Sequence, residues 1–134
     1  SGRAGLDHML SNTNYLACLL PNTPATEGIM DLSVFNKMPR GSYVLNAGRG
    51  SQLVEPDLLE ALNNGQIKGA ALDVFETEPL PKDHPFWTDS RILLTPHHAA
   101  EVFLPAAAKI FLKNIYSIRN NQPLMGLVNQ ELGY

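Results

Sequence analysis

The sequence has a single cysteine, Cys18, among its 134 residues. One thiol excludes an internal disulfide and every thiolate-rich metal site. Cys18 stands in the apolar run Tyr15-Leu16-Ala17-Cys18-Leu19-Leu20, where a buried thiol is the expected role. No apolar stretch comes near the roughly 20 residues needed to cross a bilayer, and no signal-peptide pattern is present. Excess charge of one sign is also lacking: 10 Lys and Arg against 13 Asp and Glu leave a net charge of −3. Neither nucleic acid nor a membrane surface is therefore an expected partner. The composition describes a soluble, cytoplasmic chain with enough length for one compact core. His97 and His98 are neighbours with no spaced ligand set, so no metal is expected. Gly-x-Ser-x-Gly is absent, which removes the commonest hydrolase reading. Gly-x-Gly-x-x-Gly, the turn that cradles a dinucleotide pyrophosphate, is absent too.

What is present alternates between helical and strand patterns. Leu6, Met9 and Leu10 have helical spacing ahead of a buried strand over 15–20. Met30, Leu32, Phe35 and Met38 predict a broken helix ending near Pro39. Tyr43-Val44-Leu45 is a second strand, followed by a helix that opens at Glu55-Pro56, buries Leu58, Leu59 and Leu62, and stops at Gly65. Residues 69–74 form a third strand, whose small side chains are expected to let a helix pack closely. Residues 91–95 form a fourth, after a proline-rich loop over 79–89. A long helix is expected from about Glu101 to Arg119, with Leu104, Ala107, Phe111, Ile115 and Ile118 on one face and Pro105 in its first turn. Strands alternating with helices define an α/β fold with a parallel sheet.

Three strand ends carry the chemistry: Asn46-Ala47-Gly48-Arg49-Gly50, Asp73-Val74-Phe75-Glu76-Thr77-Glu78-Pro79 and Thr95-Pro96-His97. Ligands of open α/β sheets bind at the carboxyl ends of strands, so one arginine, one glutamate and one histidine are expected to share a crevice. A guanidinium fork matches a carboxylate or an α-keto acid. Gly48 and Gly50 permit unusual backbone angles and close ligand approach, and Asn46 is placed to hold the loop. Histidine is the usual proton donor near neutral pH. Glu76 and Glu78 are both candidate partners for it, and spacing does not choose between them. Asp73 can accept from a ligand amide or cap a loop. His84 and Trp87 are read as packing or surface residues.

In order and spacing these motifs, with Leu19-Leu20-Pro21-Asn22-Thr23-Pro24 before them and Gly133-Tyr134 at the end, resemble the D-isomer-specific 2-hydroxyacid dehydrogenases. Within that family they are most similar to the glyoxylate and hydroxypyruvate reductases. The resemblance implies the second half of a Rossmann-like doubly wound parallel sheet with a long C-terminal helix. Residues 1–100 would be the C-terminal part of the NAD(P)-binding domain, and residues 101–134 a helix and tail returning to a substrate domain. It also implies NADP or NAD as cofactor, with NADPH favoured, a small 2-keto acid as substrate, and a homodimer in the full-length protein. Arg49 would bind the substrate's carboxylate and carbonyl oxygen. His97 would protonate that oxygen, and Glu78 would hydrogen-bond His97. Asp73 would meet the nicotinamide carboxamide. Pro21, Thr26, Ala47 and Gly48 would line the nicotinamide and its ribose, with Ala99 and Ala100 close by. Gly48 stands where the family often has alanine or serine, which is expected to loosen the loop slightly. The glycine-rich loop of the family would lie before Ser1, so this chain is expected to be a C-terminal portion with no turnover of its own. The alternative is a non-catalytic module that binds a cofactor or a partner, or an inactive fragment.

Overall fold

The computed structural model describes residues 3–100, 102–129 and 131. Four strands, Tyr15–Cys18 (β1), Ser42–Asn46 (β2), Ile67–Leu72 (β3) and Ile92–Leu94 (β4), form one parallel sheet in the order β1-β2-β3-β4. The helices are Arg3–Ser11 (α1), Leu32–Phe35 (α2), Glu55–Asn63 (α3) and Leu104–Arg119 (α4). Because spatial order follows chain order, right-handed crossovers place their helices on one face of the sheet. Side-chain burial follows the same division. Cys18, Val44, Ala70, Leu72 and Ile92 join Phe35, Leu58 and Leu62 in the core, whereas Tyr15, Leu45 and Leu93 on alternate positions are exposed. On that open face Tyr15 and Tyr43, paired between β1 and β2, stack with ring centres 5.2 Å apart.

Local chemistry explains the element ends. Pro56 sits in the first turn of α3, where its missing N–H is not needed, and Gly65 adopts φ +75° just past the helix. Other expectations are corrected. β1 stops at Cys18, Leu19 and Leu20 are exposed, and the carbonyl of Leu20 bonds the Gln52 side chain instead of a neighbouring strand. The predicted helix before Pro39 is reduced to α2, whose start is set by Asp31 accepting from the Val34 N–H; Met30 instead pairs with Leu53. A Cβ on Gly69 would meet the carbonyl of Arg91 at 3.1 Å and the Tyr43 ring at 3.2 Å. Its small size therefore serves neighbouring strands rather than a helix.

The chain divides into two compact units, one ending at Ala99 and one opening at Ala100. In the second, α4 begins at Leu104, which leaves Pro105 in the first turn. The predicted start at Glu101 and the motif residues Gly133 and Tyr134 lie outside the described residues. The expected apolar face of α4 is open, with Leu104 and Phe111 exposed. The Asn114 side chain exchanges two hydrogen bonds with the backbone of Met125 and ties the tail to the helix. Among the described residues, no helix is long and apolar enough to cross a membrane.

Candidate active site

β4 ends where the Thr95 N–H bonds the carbonyl of Leu72, and the chain then turns sharply at His97. His97 adopts φ 52°, a left-handed conformation unusual for any residue but glycine. Such outliers persist where the surroundings over-determine them, commonly at functional sites. Here the surroundings are Asp73. Its Oδ1 accepts from the Thr95 hydroxyl and the His98 N–H, and its Oδ2 accepts from the Ala99 N–H. Asp73 is thus a loop cap, and among the described residues one acceptor position on Oδ2 is left unused. Burial pushes its carboxyl up, but the His98 amide, the Thr95 hydroxyl and the Ala99 amide outweigh that and hold it below its ordinary 3.8.

A stability prediction follows from this cap. Asp73→Asn turns one acceptor oxygen into a donor and leaves a backbone N–H unmatched, at a cost of about 1–3 kcal/mol near neutral pH. Because the folded-state pKa is depressed, the carboxylate's contribution is present above pH 3.8 and lost as pH falls through the lower folded value. Urea midpoints of wild type and variant should therefore converge on acidification.

The left-handed turn presents the His97 ring to Glu78: Nδ1 lies 2.8 Å from Glu78 Oε2. The other carboxylate oxygen, Oε1, accepts from the Phe75 N–H at 3.0 Å. The bond from His97 and then the one from Phe75 hold the Glu78 carboxyl below its ordinary value. Burial opposes this, and the positive charges of His97 and Arg49 assist. Glu78, not Glu76, is the partner. Both side chains of the pair are partly open to solvent and border a cleft of about 580 Å³, walled by Phe75, Leu80, Trp87 and Pro96. Trp87, read from sequence as a packing or surface residue, is exposed, lines this cleft and donates its indole N–H to the carbonyl of Pro81.

Arg49 follows β2 and is exposed, with one guanidinium nitrogen on the carbonyl of Gly48. Asn46 holds the loop as expected: its Oδ1 accepts from the Gly48 N–H and its Nδ2 donates to the Arg49 carbonyl. Sequence reasoning missed Gln52, which is fully buried. Its Oε1 accepts from the Arg49 N–H and the Cys18 thiol, and its Nε2 donates to the carbonyls of Leu20 and Pro21. One amide thus joins the loops after β1 and β2.

The roles expected of the glycines are corrected accordingly. Neither Gly48 nor Gly50 has a positive φ. A Cβ on Gly48 would lie 2.3 Å from Gln52 Oε1, so this glycine makes room for the amide rather than loosening the loop. A Cβ on Gly50 would lie 1.8 Å from the carbonyl oxygen of Phe75. Gly50 therefore admits the protein's own backbone, not a ligand.

The remaining predicted residues are placed as follows. The Pro21 carbonyl also accepts from the Thr26 hydroxyl, which in turn accepts from the Thr23 N–H, so Thr26 shapes this loop from within. The Ala47 N–H extends the sheet ladder to Cys18. Pro21 and Gly48 thus lie against Gln52 at the carboxyl end of the sheet, and Ala47 precedes Gly48 in the loop after β2. Ala99 is held by Asp73, and Ala100 opens the second unit.

A parallel α/β sheet with its polar loops gathered at the strand carboxyl ends defines a nucleotide-binding fold of the Rossmann type. The family model of the D-isomer specific 2-hydroxyacid dehydrogenase NAD binding domain matches residues 2–99, and the chain belongs to that family. It is 46% identical over 133 residues to the glyoxylate/hydroxypyruvate reductase A of Photorhabdus laumondii, covering 99% of this chain and 42% of the relative. Against the Escherichia fergusonii protein of the same name the identity is 45%, over 100% of this chain and 43% of the relative. The chain thus spans less than half the length of these curated relatives. A D-isomer specific 2-hydroxyacid dehydrogenase from Xanthobacter autotrophicus, solved with NADPH and MES, superimposes with a TM-score of 0.95 at 36% identity. That match covers 99% of this chain and 55% of the other. An NADPH-dependent glyoxylate/hydroxypyruvate reductase from Sinorhizobium meliloti, with NADP and sulfate, gives 0.93 at 39%, over 100% of this chain and 44% of the other.

Proposed function

We propose that these residues are the catalytic half of an NAD(P)H-dependent reductase of small 2-keto acids, glyoxylate or hydroxypyruvate, acting as a cytoplasmic homodimer. The observation that carries the reading is the His97–Glu78 pair, held at 2.8 Å at the end of a family NAD-binding domain. The residues expected around a dinucleotide fit one. Gln52 bonds the Pro21 carbonyl and the Arg49 N–H and fills the space beside Gly48, and Asp73 keeps an acceptor position. When bound, the nicotinamide supplies hydride.

The chain's own part is acid and electrostatic chemistry. Glu78 occupies His97 Nδ1, which leaves Nε2 as the nitrogen that gives its proton to the carbonyl oxygen. Arg49 holds the substrate carboxylate with its planar fork and offsets the negative charge that grows on the carbonyl oxygen. NADPH is the favoured reductant because the similar Sinorhizobium meliloti and Xanthobacter autotrophicus structures hold NADP and NADPH.

The test is a chimera in which this chain replaces the matching 133 residues of the Photorhabdus laumondii relative. It should oxidise NADPH with glyoxylate and hydroxypyruvate, whereas the 134-residue chain alone should not. A folded chimera that binds NADPH without turnover would instead favour a non-catalytic module.

A further inference from the structure

Among the described residues two carboxylate–imidazole pairs flank the segment after β3, and one of them borders the cleft. The second joins Glu55, in the first turn of α3, to His84 in the proline-rich loop: Glu55 Oε2 lies 3.2 Å from His84 Nε2. Both side chains are largely buried, at 11% and 19% exposure. Glu55 Oε1 accepts from the Glu76 N–H at 3.0 Å. His84 Nδ1 accepts from the Phe86 N–H, so the ring carries its proton on Nε2, toward Glu55. The ring also meets Phe86 edge-on, with centres 4.4 Å apart, and Phe86 is a core residue.

We propose that Glu55 and His84 are positioning residues, which fix the Phe75–Glu78 segment so that the Glu78 carboxylate meets His97. The geometry is a chain of contacts from the core outward. Phe86 fixes the His84 ring, and His84 orients the Glu55 carboxylate. Glu55 then grips Glu76, two residues before Glu78. The Phe75–Glu76 peptide that Glu55 grips also rests against Gly50, where only hydrogen fits. Gripped by Glu55 and confined by Gly50, this backbone is restricted in where it can present Glu78. A carboxylate in the first turn of a helix is favoured there on its own account. The helix does not explain why this one spends both oxygens on two other segments. The bearing of the proposal on catalysis rests on the reading of His97 as the acid, but the contact itself is measurable without turnover.

The experiment follows the Glu78 carboxyl through a pH titration by carbon-13 NMR in the 134-residue chain. His97→Asn marks the value reached when the His97 contact is lost. His84→Asn keeps an acceptor for the Phe86 N–H but is too short to reach Glu55. Glu55→Gln can satisfy only one of its two partners. Both should raise the Glu78 midpoint at least halfway toward the His97→Asn value. Removing the negative charge of Glu55 would by itself lower that midpoint, so a rise in Glu55→Gln reports geometry and not charge. An unchanged or lowered midpoint in both folded variants overturns the proposal. An inactive chimera with raised midpoints would overturn the reductase reading and leave the positioning role standing.

Discussion

In the chimera, His97→Asn lowers kcat by about 10²–10⁴, the range for losing a positioned general acid. Asparagine is the informative replacement because it tolerates the left-handed backbone that His97 occupies at φ 52° better than other side chains do. The loop should therefore keep its shape while the proton donor disappears. Asp73, which holds the His98 and Ala99 amides, is untouched. KM should change little, since the substrate carboxylate is assigned to Arg49, so the loss belongs in kcat. Glu78→Gln makes the complementary case. It preserves the size of the side chain, removes the anion beside Nδ1, and should reduce kcat by a smaller factor. Steady-state NADPH oxidation on both variants checks the order. A His97→Asn enzyme with wild-type kcat would remove His97 from the chemistry.

Gly50→Ala is expected to be among the most destabilising single-methyl changes available in this fold. The added carbon would lie 1.8 Å from the Phe75 oxygen, 1.9 Å from its carbonyl carbon and 2.5 Å from the Glu76 nitrogen. All three are backbone atoms in a segment gripped by Glu55 and bonded by Glu78, so no flexible side chain can move aside. Overpacking of this kind costs about 1–3 kcal/mol and sometimes more, and the upper end applies where backbone must shift. The urea midpoint should fall accordingly. Gly5→Ala is the control, because nothing lies within 4 Å of its added carbon and it sits inside α1. Alanine there should raise stability by about 0.5–1 kcal/mol. In the chimera Gly50→Ala should also raise KM, because Arg49 is the adjacent residue.

Elements with a strong period were legible in the sequence. α3 shows why: Leu58 and Leu62 have helical spacing, Pro56 stands in the first turn, and Gly65 follows the end. The Met30–Met38 stretch was misread because Met30, Leu32 and Phe35 are all core residues or packed against it, yet only the four residues of α2 are helical. Apolar spacing reports burial, and a bridge partner such as Leu53 is invisible to it. Among the candidate residues, Arg49, Glu78 and His97 were nameable because each lies in the loop after a strand, within a recognisable motif. Gln52, Glu55 and His84 were not. Each is a polar residue whose role lies in partners between 21 and 34 positions away, or in a loop whose path no local pattern encodes. A glutamate ahead of Pro56 looks like an ordinary helix-start acid until the Glu76 amide is seen beside it. Gly50 was noticed for the right property, close approach, but assigned the wrong visitor.

The sheet whose spatial order matches its chain order has a consequence for biosynthesis. Each strand docks on the edge left by its predecessor, so none has to be inserted between two already paired. The strands can assemble in the order in which they leave the ribosome. The candidate site matures on the same schedule. Arg49 is placed when β2 pairs, Glu78 can be set once β3 and the His84 loop are in, and His97 arrives only after the three residues of β4 close the edge. A chain released before Ile92 would thus carry Arg49 and Glu78 but lack the candidate proton donor, His97.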